Sequence, residues 1–206
     1  MILTWFPVAL VALFLWILGN IIDKYLVTVV FKNSKDEEDI SVLMIFSVFA
    51  ALPILLITFF LWNDVIFYNK SALIGIGAGM LNVGWLWFYL KSIARSELSR
   101  IVPFFQLVPF FGLFFGWFFL KEFLTEWQMI AGFISIIGAL VLSYHHRTNA
   151  FDWKLFVFMT TSAFLLSMQT IIFKLVYNES NYAHAIFWSS VGLMIGGTTL
   201  VLLLPG

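Results

Sequence analysis

The sequence lacks cysteine and contains few charged residues, and both absences limit what the protein can be. Without cysteine, disulfide bonds and thiolate chemistry are excluded. Only 11% of the residues are charged, whereas a soluble domain has about 25%. The net charge at pH 7 is zero, so the chain has no basic excess that would attract nucleic acid. These absences argue against a water-soluble protein and against a nucleic-acid partner.

Most of the chain consists of apolar residues. They make up 62% of the chain, and the mean hydropathy is +1.01. These values indicate an all-α integral membrane protein with the lipid bilayer as its surroundings, because a helix of about 20 apolar residues crosses the hydrocarbon core. We count seven apolar runs of this kind, at about 3–30, 41–62, 71–91, 101–120, 127–144, 153–177 and 183–204.

The stretch Arg100–Ser143 carries the most local information. A charged turn at Lys121–Glu122 joins two apolar runs, which predicts a transmembrane helical hairpin. Pro109 removes a hydrogen bond from the first helix and frees the carbonyl of Phe105. In a bilayer, such a break is tolerated only where protein or water satisfies the freed carbonyl.

Two spacing patterns within this hairpin predict local structure. Gly112 and Gly116 are one helical turn apart, which allows another helix to approach closely. Thr125 and Gln128 have the spacing of a capping box at the start of the second helix.

Four segments together resemble the EamA-type transporters of the drug/metabolite transporter superfamily. The family pattern has an aromatic helix end followed by lysine, a PxF motif, an LGExLT turn and a glycine-spaced helix that begins with glutamine. Lys121 stands where the family usually has glycine. The counterparts here are Phe88–Lys91, Pro109–Phe111, Leu120–Thr125 and Gln128–Gly138. The resemblance implies a transmembrane bundle of ten helices in two five-helix inverted repeats.

An internal similarity favours the same organisation. Asn20–Lys24 in the first run is similar to Thr170–Lys174 in the sixth. Because an odd number of runs separates the copies, they have opposite orientations, as in inverted-repeat transporters. We therefore expect a first repeat of five helices at 1–147 and the start of a second, with two helices, at 148–206. With seven helices of an expected ten, we expect either a missing C-terminal half or a dimer.

The orientation in the membrane stays open at this point. Lysine and arginine are concentrated after the first, third and fifth runs, which favours an outside N-terminus. The resemblance implies instead a cytoplasmic N-terminus, in a multi-pass protein of the cytoplasmic membrane.

Polar and aromatic residues that share a helix face are the candidates for a substrate path. Intramembrane polar groups are costly and usually face a bundle interior or a cavity. In the first run, Trp16 and Asn20 lie on one face, followed by Asp23 and Lys24. Asp23 and Lys24 have an alternative interpretation, in which both approach the membrane interface and the lysine snorkels.

The later runs supply further candidates, each with a structural alternative. In the third run, Asn82, Trp85 and Tyr89 share one face, which suits either a pocket or a helix–helix seam. Gln106 lies beside the proline break and could simply bond the freed carbonyl. Thr170 could simply bond its own helix. The predicted substrate-binding residues are Trp16, Asn20, Asn82, Trp85, Tyr89, Gln106 and Thr170.

We predict no metal site, no cofactor and no enzymatic activity. The His145–His146 pair has no cysteine and few acids near it in the sequence, so a solvated loop is the favoured interpretation. The glycines Gly75, Gly77 and Gly79 lack the strand–turn–helix context of a nucleotide loop. We expect them to serve close helix packing or local flexing of the helix.

The resemblance therefore implies a transporter that moves a small metabolite, such as an amino acid or a drug, by alternating access. The alternative is a non-transporting structural or assembly protein of the membrane built on the same repeat. The identity of the small-molecule substrate and the coupling ion are not determined by these patterns.

Overall fold

The fold is helical throughout almost all of the described chain. A computed structural model describes residues 5–30, 44–46, 48–49, 51–62, 67–121, 123, 125–145 and 150–203. The Glu122 and His146 discussed above lie outside these ranges. A short antiparallel pair, β1 (Tyr144–His145) and β2 (Ala150–Phe151), is formed besides the helices.

The helices correspond to the seven apolar runs of the sequence. They are α1 (Trp5–Tyr25, continued by a π-helical turn at Leu26–Val30), α2 (Ala51–Trp62), α3 (Lys70–Arg95), α4 (Leu98–Leu120), α5 (Glu126–Ser143), α6 (Trp153–Glu179) and α7 (Tyr182–Leu203). Within the described residues, five segments are long and apolar enough to cross a membrane: Phe6–Val29, Met44–Trp62, Lys70–Arg95, Leu98–Leu120 and Trp153–Glu179. The predicted fold class, an all-α membrane bundle, is confirmed.

The contacts between helices fix their relative directions. Asn20 contacts Tyr89 and Lys24 contacts Ile93, so α1 and α3 run in the same direction. Contacts from Gly75 to Trp188 and from Val83 to Gly196 make α7 parallel to α3 as well. In contrast, α6 is antiparallel to α3, because Ser71 meets Ser180 whereas Trp85 meets Ser162.

Helix α3 packs against α7 through glycine. A Cβ atom added at Gly79 would overlap the backbone carbonyl of Ser189, and one added at Gly192 would overlap the carbonyl of Ile76. The two backbones therefore touch directly, which only glycine permits. The expected packing role is confirmed for Gly75 and Gly79, whereas a Cβ on Gly77 would meet no described atom within 4 Å.

Helix α4 changes its winding in front of Pro109. Val102–Gln106 forms a 3₁₀ helix, and regular α-helix resumes at Leu107. The irregular segment thus lies before Pro109 and contains another proline, Pro103, whereas Pro109 itself lies within the regular helix. Because a 3₁₀ helix has about three residues per turn and an α-helix 3.6, the segment changes which side chains of α4 face the bundle.

The helical hairpin of α4 and α5 forms as the sequence predicts. The Thr125 backbone N–H donates to Gln128 Oε1 at 2.9 Å, and the Gln128 N–H donates to Thr125 Oγ1 at 3.3 Å. This reciprocal pair confirms the capping box. Lys121 ends α4 in the left-handed conformation, with φ of 56°, which explains why glycine suits this position.

The core lies around α3, and α1 lies at its edge. Large buried side chains include Ile93, Phe104 and Met159, from α3, α4 and α6. In the apolar stretch of α1, only 6% of the residues are buried against other parts of the chain, compared with 33% in the apolar stretches of α3 and α6. Helix α1 is therefore attached to the bundle through few contacts, and these form the site described next.

Candidate functional site

A cavity of about 390 Å³ lies between α1 and α3. Its volume is within the range of about 300–1,000 Å³ that is typical of small-molecule sites. Its lining consists of Ala12, Leu15, Trp16, Gly19, Asn20 and Asp23 from α1, and of Trp85 and Tyr89 from α3. The lining combines apolar and aromatic surface with a few polar groups, which is the composition expected of a pocket that holds and orients a small solute.

The hydroxyl of Tyr89 joins the two helices within the lining of this cavity. It donates a hydrogen bond to Asn20 Oδ1, and its oxygen lies 3.4 Å from Asp23 Oδ2. Asn20 in turn donates from Nδ2 to the backbone carbonyl of Trp16, at 2.7 Å. Both Tyr89 and Asn20 are buried, with 2% and 6% of their surface exposed. The polar link between α1 and α3 is therefore made of side chains that are themselves fixed in place.

Four aromatic rings from three helices surround this link. The ring of Phe105 on α4 lies 5.5 Å from that of Trp16 and 5.4 Å from that of Tyr89, measured between centroids. It also contacts Trp85 edge-on, at 6.3 Å. Aromatic pairs at such separations attract each other by about 0.5–1.5 kcal/mol beyond the burial of their surface. Phe105 thus fixes the positions of the rings that line the cavity.

Asn82 positions the Trp85 indole and does not line the cavity. The indole N–H of Trp85 donates to Asn82 Oδ1, one turn earlier on α3. The Trp85 backbone carbonyl accepts a hydrogen bond from Ser162 on α6, at 2.9 Å. Both contacts hold Trp85 to the α3–α6 side of the cavity.

Lys24 lies next to Asp23 in the chain but serves another purpose. Its ammonium group donates to the carbonyls of Ile93, at 2.8 Å, and of Ser96, at 2.9 Å. These carbonyls are at the C-terminal end of α3, where the helix dipole favours a positive charge. Lys24 therefore caps α3, and its charge is directed to the helix end.

The structure brings four of the seven predicted residues together and leaves three outside the cavity lining. Trp16, Asn20, Trp85 and Tyr89 line the cavity. Asn82 lies behind Trp85, and the side chains of Gln106 and Thr170 are exposed. Thr170 bonds the carbonyl of Leu166 on its own helix, at 2.8 Å. The 3₁₀ segment explains why Gln106 lies outside the lining, because the changed winding brings the neighbouring Phe105 to the aromatic cluster instead.

A second buried polar cluster lies at the opposite end of α3, and the sequence patterns did not indicate it. The Ser71 hydroxyl lies 2.7 Å from Asn69 Oδ1, 2.8 Å from Ser180 Oγ and 3.3 Å from His184 Nε2. Asn69 Oδ1 also accepts the N–H of Ala72 and can only accept, so Ser71 donates to it. Ser71 therefore accepts from Ser180 and from the Nε2–H of His184, which joins the ends of α3, α6 and α7.

Among the described residues, no three His, Asp or Glu side chains are grouped closely enough to hold an ion. The candidate site is thus the aromatic cavity between α1 and α3.

Comparisons with known proteins assign the chain to a family. The model of the EamA-like transporter family matches residues 3–144, which is more than half of the chain. Comparisons with curated proteins and with solved structures give no match. The family is one of membrane transporters, in agreement with the apolar helices of the fold. This multi-pass membrane protein belongs to the EamA-like transporter family, within the drug/metabolite transporter superfamily.

Proposed function

We propose that the protein moves a small organic solute across the cytoplasmic membrane by alternating access, and that the cavity between α1 and α3 holds the solute. The observation that carries the proposal is the buried Tyr89–Asn20 hydrogen bond, which joins two helices within the lining of an aromatic cavity. Intramembrane polar groups of this kind mark substrate pathways in transporters.

The lining residues have distinct roles in this proposal. The rings of Trp16, Trp85 and Tyr89 contact the apolar part of the solute, and Asn20 and Asp23 contact its polar part. Asn82 and Phe105 position the rings from behind. Gln106 and Thr170, although predicted from the sequence, have no part in it, because their side chains are exposed outside the lining.

The two faces of α3 suggest which part moves. A solute that enters the cavity competes for the polar groups that connect α1 to α3. The contacts between α3 and α7 at Gly79 and Gly192 are made by backbone atoms, so they present no side-chain group for which a solute could compete. Alternating access would then consist of α1 rocking against a rigid unit of α3, α6 and α7.

We also propose that 1–147 forms one five-helix repeat and 148–206 the start of an inverted second repeat. The antiparallel directions of α1 and α6, which carry the similar segments Asn20–Lys24 and Thr170–Lys174, support this organisation.

Cysteine labelling tests the proposal cleanly, because the chain has no cysteine of its own. Ala12→Cys places a thiol in the cavity lining, and Leu13→Cys places one on the exposed apolar face of α1. In proteoliposomes, we expect a membrane-impermeant thiol reagent to label Ala12→Cys from each side of the membrane. Leu13→Cys, which faces lipid, should resist the reagent.

Equal protection of both thiols would contradict the water-accessible cavity. Labelling of Ala12→Cys from one side only would contradict alternating access and would favour a non-transporting membrane protein.

A further inference from the structure

The carboxylate of Asp23 has no counter-charge in the part of the chain that the structure describes. It lines the cavity and is half-buried, and its described contact is the Tyr89 hydroxyl at 3.4 Å. The nearest lysine in sequence, Lys24, is bonded to the carbonyls at the end of α3. A carboxylate within a membrane helix is costly unless it is paired, so a cavity that contains one favours a ligand that supplies a positive charge.

The rings around Asp23 have the same preference. Trp16, Trp85 and Tyr89 line the cavity together, and the faces of aromatic rings attract cations electrostatically. Trp85 and Tyr89 are fixed with their ring centroids 5.8 Å apart. An ammonium group beside Asp23 would therefore meet both a carboxylate and aromatic surface.

The cavity lining offers few free hydrogen-bond donors, and these share the lining with a carboxylate, which disfavours anions. The Tyr89 hydroxyl donates to Asn20, and the Trp85 indole N–H donates to Asn82. Asn20 uses one of its two amide hydrogens on the Trp16 carbonyl. The second amide hydrogen of Asn20 and the indole N–H of Trp16, which has no acceptor among the described residues, remain for a ligand. Both belong to a lining that also contains the carboxylate of Asp23, which repels negative charge.

We infer that the cavity recognises organic cations, namely small amines or quaternary ammonium compounds with an apolar or aromatic part, and that Asp23 supplies the counter-charge. This inference rests on the proposed function, because it names the substrate class of the same cavity. It narrows the proposed substrates from small solutes in general to positively charged ones.

Binding of three probes that share one ring but differ in charge tests the inference. The probes are radiolabelled benzyltrimethylammonium, which is permanently positive, benzyl alcohol, which is neutral, and benzoate, which is negative. We expect the purified full chain, in detergent, to bind benzyltrimethylammonium at least tenfold more tightly than either of the others. Asp23→Asn keeps the shape of the side chain and removes its charge, and it should reduce binding of the cation about tenfold or more.

Two controls separate charge recognition from a loss of structure. Glu179→Gln removes an exposed carboxylate at the end of α6, outside the cavity, and should leave cation binding unchanged. Asp23→Asn should elute as the wild-type protein does on size exclusion and should keep the two-sided labelling of Ala12→Cys.

The outcomes distinguish this inference from the proposed function. Unchanged cation binding in Asp23→Asn, or benzoate bound as tightly as the cation, would overturn the cationic substrate class. Two-sided labelling of Ala12→Cys would still uphold the transporter in either case. Failure of the wild-type chain to bind any of the three probes would also overturn the substrate class, and one-sided labelling would overturn alternating access independently.

Discussion

The two faces of α3 are held by different kinds of contact. Against α7, backbone touches backbone at Gly79 and Gly192, and no side chain intervenes. Against α1, a buried tyrosine hydroxyl, an asparagine and a set of rings surround an open cavity. The first face has no group that a ligand could replace, whereas the second consists of groups that a ligand can compete for. Under the proposed mechanism, α3 and α7 move together and α1 moves against them.

The largest effect is expected from a substitution that disrupts the glycine contact between α3 and α7. Gly79→Ala adds a Cβ that overlaps the carbonyl of Ser189, and overpacking of this kind costs about 1–3 kcal/mol. The matched control is Gly77→Ala on the same helix, where the added Cβ meets no described atom within 4 Å. We expect Gly79→Ala to lower the melting temperature in detergent and Gly77→Ala to leave it unchanged or raise it. Equal melting temperatures would show that the backbones are not in direct contact.

The next effect concerns the polar joint at the other end of α3. Ser71→Ala removes the hydroxyl that accepts from Ser180 and from the fully buried His184. Leaving buried donors without a partner costs about 1–3 kcal/mol. Ser99→Ala, at an exposed position on α4, is the control and should be neutral. A melting temperature equal to that of Ser99→Ala would show that the joint does not stabilise the α3–α6–α7 unit.

A smaller effect on stability is expected at the cavity face. Tyr89→Phe removes the hydroxyl that donates to Asn20, and one such bond contributes about 0.5–1.5 kcal/mol. We expect only a slight loss of thermal stability, together with faster thiol labelling of Ala12→Cys, because α1 is held less firmly. The exposed Tyr182→Phe is the control. Unaltered labelling in Tyr89→Phe would contradict the role of this bond in attaching α1.

The smallest effect is expected at the turn after α4, which belongs to neither face of α3. Lys121 adopts a left-handed conformation, which costs a residue with a side chain about 1–2 kcal/mol. Lys121→Gly relieves this cost, but glycine also loses about 0.5–1 kcal/mol through its greater freedom in the unfolded chain. We expect a net gain between zero and about 1.5 kcal/mol, with a middle value of about 0.75 kcal/mol. Lys121→Ala, which removes the charge but keeps the Cβ, should give no gain, and an equal gain in both would assign the effect to charge.

Local patterns predicted those parts of the structure that depend on neighbouring residues. The capping box of Thr125 and Gln128 and the packing of Gly75 and Gly79 follow from spacing along one helix. The sharing of one α3 face by Trp85 and Tyr89 follows from helical periodicity.

The parts that were missed depend on residues distant in sequence. Phe105 enters the aromatic cluster where a 3₁₀ segment changes the winding of α4, whereas the sequence pointed to Gln106 because it is a polar residue beside Pro109. His184 becomes a structural residue only because the ends of α3 and α6 meet it. No spacing in the sequence reports such a meeting of three helices.

Distances between spin labels test the central claim most directly. Two doubly labelled proteins are compared. Both carry a spin label at Leu73 on α3, and the second label is at Leu13 on α1 in one protein and at Ile195 on α7 in the other. All three positions are exposed. In proteoliposomes, the account predicts a broad or divided distance distribution for the pair between α1 and α3. It predicts a single narrow distribution for the pair between α3 and α7. Equal widths, or a broader distribution for the α3–α7 pair, would contradict the conclusion that α1 moves against a rigid α3–α7 unit.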